Sequence, residues 1–126
     1  MRELVKALKV LSDETTLRAL NLVYEQECCV CEVMQALDIS QSKASRHLSA
    51  LYDVGILKFR KDGLWSVYAL DREGMPAYLA EIVSAARQTV ANTQIATLDK
   101  KRLSEAKRLG PRCIHVSEKG SLPATE

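Results

Sequence analysis

The chain has 126 residues, 47% of them apolar and 27% charged, with a formal net charge of +2. One modest domain fits that length and two ordinary ones do not, so activity must come from a single unit or a dimer of it. No apolar stretch reaches the roughly 20 residues a membrane span needs; Met1–Val10 lacks the apolar run and small-residue cleavage site of a secretory signal, so a cytoplasmic protein is expected.

The charge is unevenly spread: residues 1–35 carry −2, 36–72 carry +2, 73–98 carry −1 and 99–126 carry +3. A basic middle and tail are compatible with a nucleic-acid partner without requiring one.

In chain order, Leu4, Val5, Leu8 and Leu11 predict an amphipathic helix, and Leu17, Leu20, Leu22 and Val23 predict a second one after the break at Ser12-Asp13-Glu14. Ser12 is the expected cap of that second helix, with acids in its first turn. A third, short helix should start near Cys29 or Val30 and turn Val33, Met34 and Leu37 inward. Ser40 then caps a fourth helix through Tyr52, whose inner stripe is Ala44, Leu48 and Leu51. Its first two turns put Gln41, Ser42, Lys43, Ser45, Arg46 and His47 outward, a surface of amides, hydroxyls and cations without acids. Reading a major groove needs that mixture: donors and acceptors for base edges, cations for phosphates.

After Gly55, Ile56–Arg60 and Leu64–Leu70 read as two strands around Lys61-Asp62-Gly63, a β-hairpin with a cationic tip. A hairpin that follows such a helix is a wing, able to bring Arg60 and Lys61 to phosphate, with Trp65 packing its base. Residues 75–98 predict one long helix begun by Met75-Pro76, with Glu81 and Arg87 as its charges. So apolar a helix calls for a dimer interface. Residues 99–126 lose the periodicity and contain Gly110-Pro111, Gly120 and Pro123, and are expected to fray into a flexible basic tail holding Cys113 and His115. The expected organisation is therefore a winged helix-turn-helix domain over 1–98, mostly α with a β-hairpin and dimeric through its terminal helices, and a tail over 99–126.

Cys28, Cys29 and Cys31 cluster while Cys113 is distant. In a reducing compartment this pattern suits soft-metal binding or redox sensing better than a disulfide framework. A dithiol reductase would need an acid/base partner and a cofactor signature, and neither is evident, so the chain is not expected to be an enzyme.

The stretches LSDETTLRALNLV at 11–23, ECCVCEV at 27–33, ALDISQSKASRHLSALYDVGIL at 36–57 and RKDGLWSVYAL at 60–70 resemble the ArsR/SmtB family of bacterial winged-helix repressors, most of all its arsenic-responsive members. The resemblance implies a homodimer that binds a palindromic operator in double-stranded DNA and leaves it when inducer binds. It also implies that Cys29-Val30-Cys31 is the site for arsenite or antimonite, and that His47 lies on the reading face. Arsenic-type members often carry a third cysteine where this chain has Met34, the N-terminal extension of cadmium and lead sensors has no counterpart, and residues 75–98 contain no histidine for a zinc site.

Trivalent arsenic forms up to three bonds to thiolate sulfur, so the third ligand is Cys28, or Cys113 if the tail folds back, or none. A helix start favours thiolate over thiol. On a regular helix, residues two apart stand about 200° apart around the axis, so joining Cys29 and Cys31 to one atom is expected to unwind the helix start. A divalent soft-metal or redox-responsive repressor of the same fold is the alternative.

Overall fold

The computed structural model describes residues 1–109. Cys113 and His115, and most of the segment expected to be a flexible tail, lie outside the described residues. The first helix, α1 (Arg2–Leu11), buries Ala7 and Leu11 and leaves Val5 and Leu8 exposed, so its apolar residues serve two faces rather than one stripe. Its end is closed by Ser12, whose hydroxyl donates to the Lys9 carbonyl at 2.7 Å. Ser12 is thus spent on α1. The cap of α2 (Glu14–Val23) is Asp13 instead, its carboxylate accepting the Thr16 N–H at 2.9 Å. A carboxylate facing the first amides of a helix also meets the positive end of its dipole.

A two-residue strand, β1 (Cys28–Cys29), precedes α3 (Val30–Leu37). At its far end α3 stops on Asp38, whose φ of 57° reverses the chain in the left-handed region. Ser40 then caps α4 (Gln41–Asp53), accepting the Lys43 N–H at 3.2 Å, as the sequence predicts. Gly55, at φ 85°, releases the chain from α4 into the hairpin of β2 (Leu57–Asp62) and β3 (Trp65–Leu70), and Gly63, at φ 63°, turns it. The sheet is antiparallel in the order β1-β3-β2, so the inner strand of the hairpin carries β1 on its other edge, with Cys28 opposite Tyr68 and Cys29 opposite Val67. The core gathers Leu20, Leu22, Val33, Leu48, Leu51 and Ile56 from α2, α3, α4 and the entry to β2.

The single helix expected over 75–98 is two, α5 (Ala77–Ala91) and α6 (Gln94–Glu105). The break falls at Asn92-Thr93, where the Thr93 hydroxyl accepts the Ala96 N–H at 3.2 Å and starts a new helix. Because α6 continues to Glu105, the expected boundary at 98/99 falls inside a helix. What holds α6 in place is its inner face of Ala96, Asp99 and Leu103, packed on α2 and α3. Fully buried Asp99 receives two bonds from Arg18 of α2, at 2.9 Å from Nε and 2.8 Å from Nη2. A helix face whose central residue is an aspartate reads as polar until its cation is known.

Candidate nucleic-acid interface and thiol site

The start of α4 presents Ser42, Lys43 and Arg46 to solvent, with Gln41 and Ser45 half-buried at its flank. Ala44, Leu48 and Leu51 face the core, as their spacing requires. Between this helix start and the hairpin lies a cleft of about 390 Å³, lined in part by Gln41, Ser45, Lys61 and Ser66. Helix and hairpin thus contribute to one continuous polar surface.

Three of the predicted contact residues are engaged inside the molecule. His47 does not stand on the outward face: its Nδ1 is 2.8 Å from the Thr16 hydroxyl and 3.8 Å from the Asp13 carboxylate, and its side chain is 13% exposed. It ties α4 to the capped start of α2. The reason is helical geometry, since His47 lies three residues after Ala44 and one before Leu48, at the edge of the buried stripe. Arg60 is drawn back to Glu27 at 2.7 Å, and Lys61 reaches the Ser66 hydroxyl at 3.4 Å. Both remain exposed cations on β2.

The thiol site departs further from expectation. Cys29 is the residue before α3 and has an extended backbone, φ −85° and ψ 165°, while Cys31 is already in the first turn. The 200° separation therefore does not apply: the two sulfurs lie 2.8 Å apart, both fully buried, with α3 intact. No unwinding is needed to bring them together. Cys28, although adjacent, points to the opposite side of β1, as successive strand residues do. Its thiol donates toward the carbonyls of Gln26 at 3.5 Å and Leu22 at 3.9 Å. Burial, with Glu32 and Cys29 nearby, pushes that thiol up to about 12, so Cys28 is a neutral core residue at ordinary pH.

Several residues around the thiols have no counterpart in the sequence reading. Glu32 accepts the Cys29 N–H at 2.7 Å, the reciprocal half of a helix-capping arrangement; an acid three residues after a cap is a signal that was present in Cys-Val-Cys-Glu. Its carboxyl is pushed up, by burial first. Beyond α6 the chain crosses α3: Gln35 brackets Lys107, accepting its N–H at 3.1 Å and donating to its carbonyl. The Leu109 N–H points at the Cys31 sulfur from 3.4 Å. Arg108, between them, donates to Asp62 of β2 at 2.7 Å, lies 3.9 Å from Glu32 and stacks over Trp65 at 5.5 Å. Its guanidinium is held above its ordinary value, first by the bond to Asp62 and then by the charges of Glu32 and Cys29. Nothing local in the sequence marks the contacts of Lys107, Arg108 and Leu109, because each partner lies dozens of positions away.

Residues 13–58, from the cap of α2 to the second residue of β2, match the family described as "Bacterial regulatory protein, arsR family". The chain is 43% identical over 83 residues to the arsenical resistance operon repressor of Escherichia coli, covering 65% of this chain and 70% of that protein. The chain belongs to the arsR family. It is also 45% identical over 87 residues to an arsenic resistance transcriptional regulator of Pseudomonas putida, covering 68% of this chain and 73% of the relative. In fold it is similar to a homodimeric winged helix-turn-helix DNA-binding domain from Mycobacterium bovis, with a TM-score of 0.59, 22% identity and coverage of 74% and 82% of the two chains. The arsR family is one of regulatory proteins and not of enzymes, and α3, α4 and the hairpin are its helix-turn-helix and wing. No helix among the described residues is long and apolar enough to cross a membrane.

Proposed function

We propose that this arsR-family chain is a dimeric transcriptional repressor that leaves its operator when arsenite or antimonite binds Cys29 and Cys31. Similarity to two regulators of arsenic resistance supports the inducer class. The observation that carries the reading is the thiol geometry: two sulfurs 2.8 Å apart at a helix start, close enough to share one thiophilic atom without rebuilding α3. Trivalent arsenic or antimony supplies thiolate-seeking, pyramidal coordination to such a pair.

On DNA, Gln41, Ser42 and Ser45 would meet base edges while Lys43, Arg46, Arg60 and Lys61 neutralise phosphates. His47 would act from behind, fixing the rotation of α4 through Thr16. Val5 and Leu8 of α1, Tyr78 of α5, and Ile95 and Leu98 of α6 are exposed apolar residues on the terminal helices, and we assign them to the dimer surface. Release follows by linkage: the Cys29 backbone is held by Glu32 and by β3, and Arg108 joins Glu32 to Asp62 of the wing. A change in the thiol pair therefore biases the wing, and operator and inducer weaken each other's binding by the same factor.

Fluorescence anisotropy with a palindromic operator from the chain's own upstream region tests this. Arsenite should release the wild type, while Cys31→Ser should bind the operator within about twofold of wild type (about 0.4 kcal/mol) and stay bound. Release of Cys31→Ser at the wild-type arsenite concentration would remove the site. Release by cadmium or peroxide in place of arsenite would reassign the inducer.

A further inference from the structure

The cleft between α4 and the hairpin has a consistent chemistry on both sides. Gln41 and Ser45, one helical turn apart on α4, form its helix side. Lys61 and Ser66 are cross-strand partners and so share a face of the hairpin, and Tyr68 lies on that same face of β3. All three line the hairpin side. The Lys61 ammonium donates across the ladder to the Ser66 hydroxyl at 3.4 Å. Among the described residues no carboxylate lines the cleft. One cation with several neutral donors and no acid selects an anion. At about 390 Å³ the space exceeds what a bare oxyanion fills and leaves room for the sugars that flank a phosphodiester.

Val30 also lines this cleft. It is buried, and in the chain it stands between Cys29 and Cys31. One atom bonded to both sulfurs would close a ring that runs through the Val30 backbone. Val30 is therefore shared by the cleft and the thiol pair, by a path separate from the Arg108 contacts with Glu32 and Asp62.

We propose that this cleft seats one backbone phosphate of each operator half-site, with Lys61, Ser66 and Tyr68 as its donors, and that Val30 makes the seat answer to the thiols. The seat needs only that the chain bind DNA, whereas the role of Val30 rests on the metalloid reading above. Lys58 and Arg60 occupy the opposite face of the hairpin and do not line the cleft. They are cations of the same strand without a place in the seat.

The test replaces operator phosphates one at a time by uncharged methylphosphonates and follows binding of the full chain by fluorescence anisotropy. For the wild type, neutralising the seated phosphate should weaken binding about tenfold. In Lys61→Met the penalty at that position should fall below about twofold, and in Ser66→Ala to about threefold, because the seat is already impaired. Lys58→Met should leave it at about tenfold. The same DNA probes the link to the thiols without altering the protein. A methylphosphonate at the seat has already forfeited what inducer binding would disrupt, so the ratio of operator Kd with arsenite to that without should fall by about tenfold. Val30→Ala should lower this ratio on unmodified operator while its arsenite uptake stays within about twofold of wild type. Absence of any position whose penalty depends on Lys61 would overturn the seat. Saturable binding of inorganic phosphate without DNA, lost in Lys61→Met, would in that case give the cleft to a free oxyanion. An unchanged Kd ratio in Val30→Ala would overturn its role. A wild type that arsenite does not release would overturn the metalloid reading and the role of Val30 with it, while the phosphate result stands.

Discussion

The chain builds two helix starts close together and treats them in opposite ways. At α4 the cap is a serine, and the side chains of the first turns, Ser42, Lys43 and Arg46, are left in water. At α3 the cap is a cysteine, and everything around it is satisfied from within: Glu32 on the backbone, Cys31 on the sulfur, Leu109 and Arg108 closing over the top. An open helix start is ready for a partner that brings its own charges. A closed one admits a ligand only by exchanging internal bonds, and that exchange is what lets binding be felt elsewhere. On the proposed function, surface for recognition and enclosure for regulation come from the same local motif, distinguished by what covers it.

The largest effect is expected where the closed end is anchored. Arg18→Ala strands the buried Asp99 carboxylate and should cost about 3–5 kcal/mol in urea unfolding, loosening α6 and the 106–109 segment that it carries. A loss below about 1 kcal/mol would mean that α6 is held by Ala96 and Leu103 alone. At the open end, Arg46→Ala should weaken operator binding about tenfold, near 1.4 kcal/mol, and lower the slope of log K against log salt by about 1. An unchanged slope would take Arg46 off the phosphates.

Smaller changes sharpen the contrast. Asp13→Ala removes the cap behind His47 and should cost about 1 kcal/mol at neutral pH. The Thr16 N–H holds the Asp13 carboxyl below its ordinary value, with His47 adding to the effect. That stabilisation is present above the unfolded pKa and lost as pH falls through the folded one, so wild type and variant should converge below about pH 4. Arg108→Ala breaks partly exposed ion pairs and should cost under about 1 kcal/mol in stability, while changing the arsenite concentration for release. Equal inducer response in Arg108→Ala would disconnect the wing from the thiols.

What could be read from sequence was whatever is written within a few residues. The cap at Ser40, the inner stripe of α4 and the hairpin around Gly63 follow from local chemistry, whereas the choice of Cys29 with Cys31 as a pair comes from the family resemblance. The misreadings share a physical cause. Helical spacing treated Cys29 as helical, whereas β1 pairs it with Val67 and so holds it extended. Periodicity ran 75–98 together because a threonine within an apolar run does not announce that it caps. The inward turn of His47 depends on Thr16, and the docking of α6 on Arg18, each supplied by a distant element. The similarity to arsR-family proteins indicated the fold and the inducer class, but no family pattern marks the segment after α6.

One short element sets how the molecule opens. Strand β1 holds its place through a two-residue register on β3, whereas β2 holds the other edge of β3 through six. In hydrogen-exchange terms the sheet has a seam held by two residue pairs and another held by six, and the shorter ladder is the easier to open locally. The Cys29 amide side of the sheet should therefore exchange by local opening and the hairpin's inner amides by global unfolding. Cys29, one half of the thiol pair, sits on the shorter of the two seams.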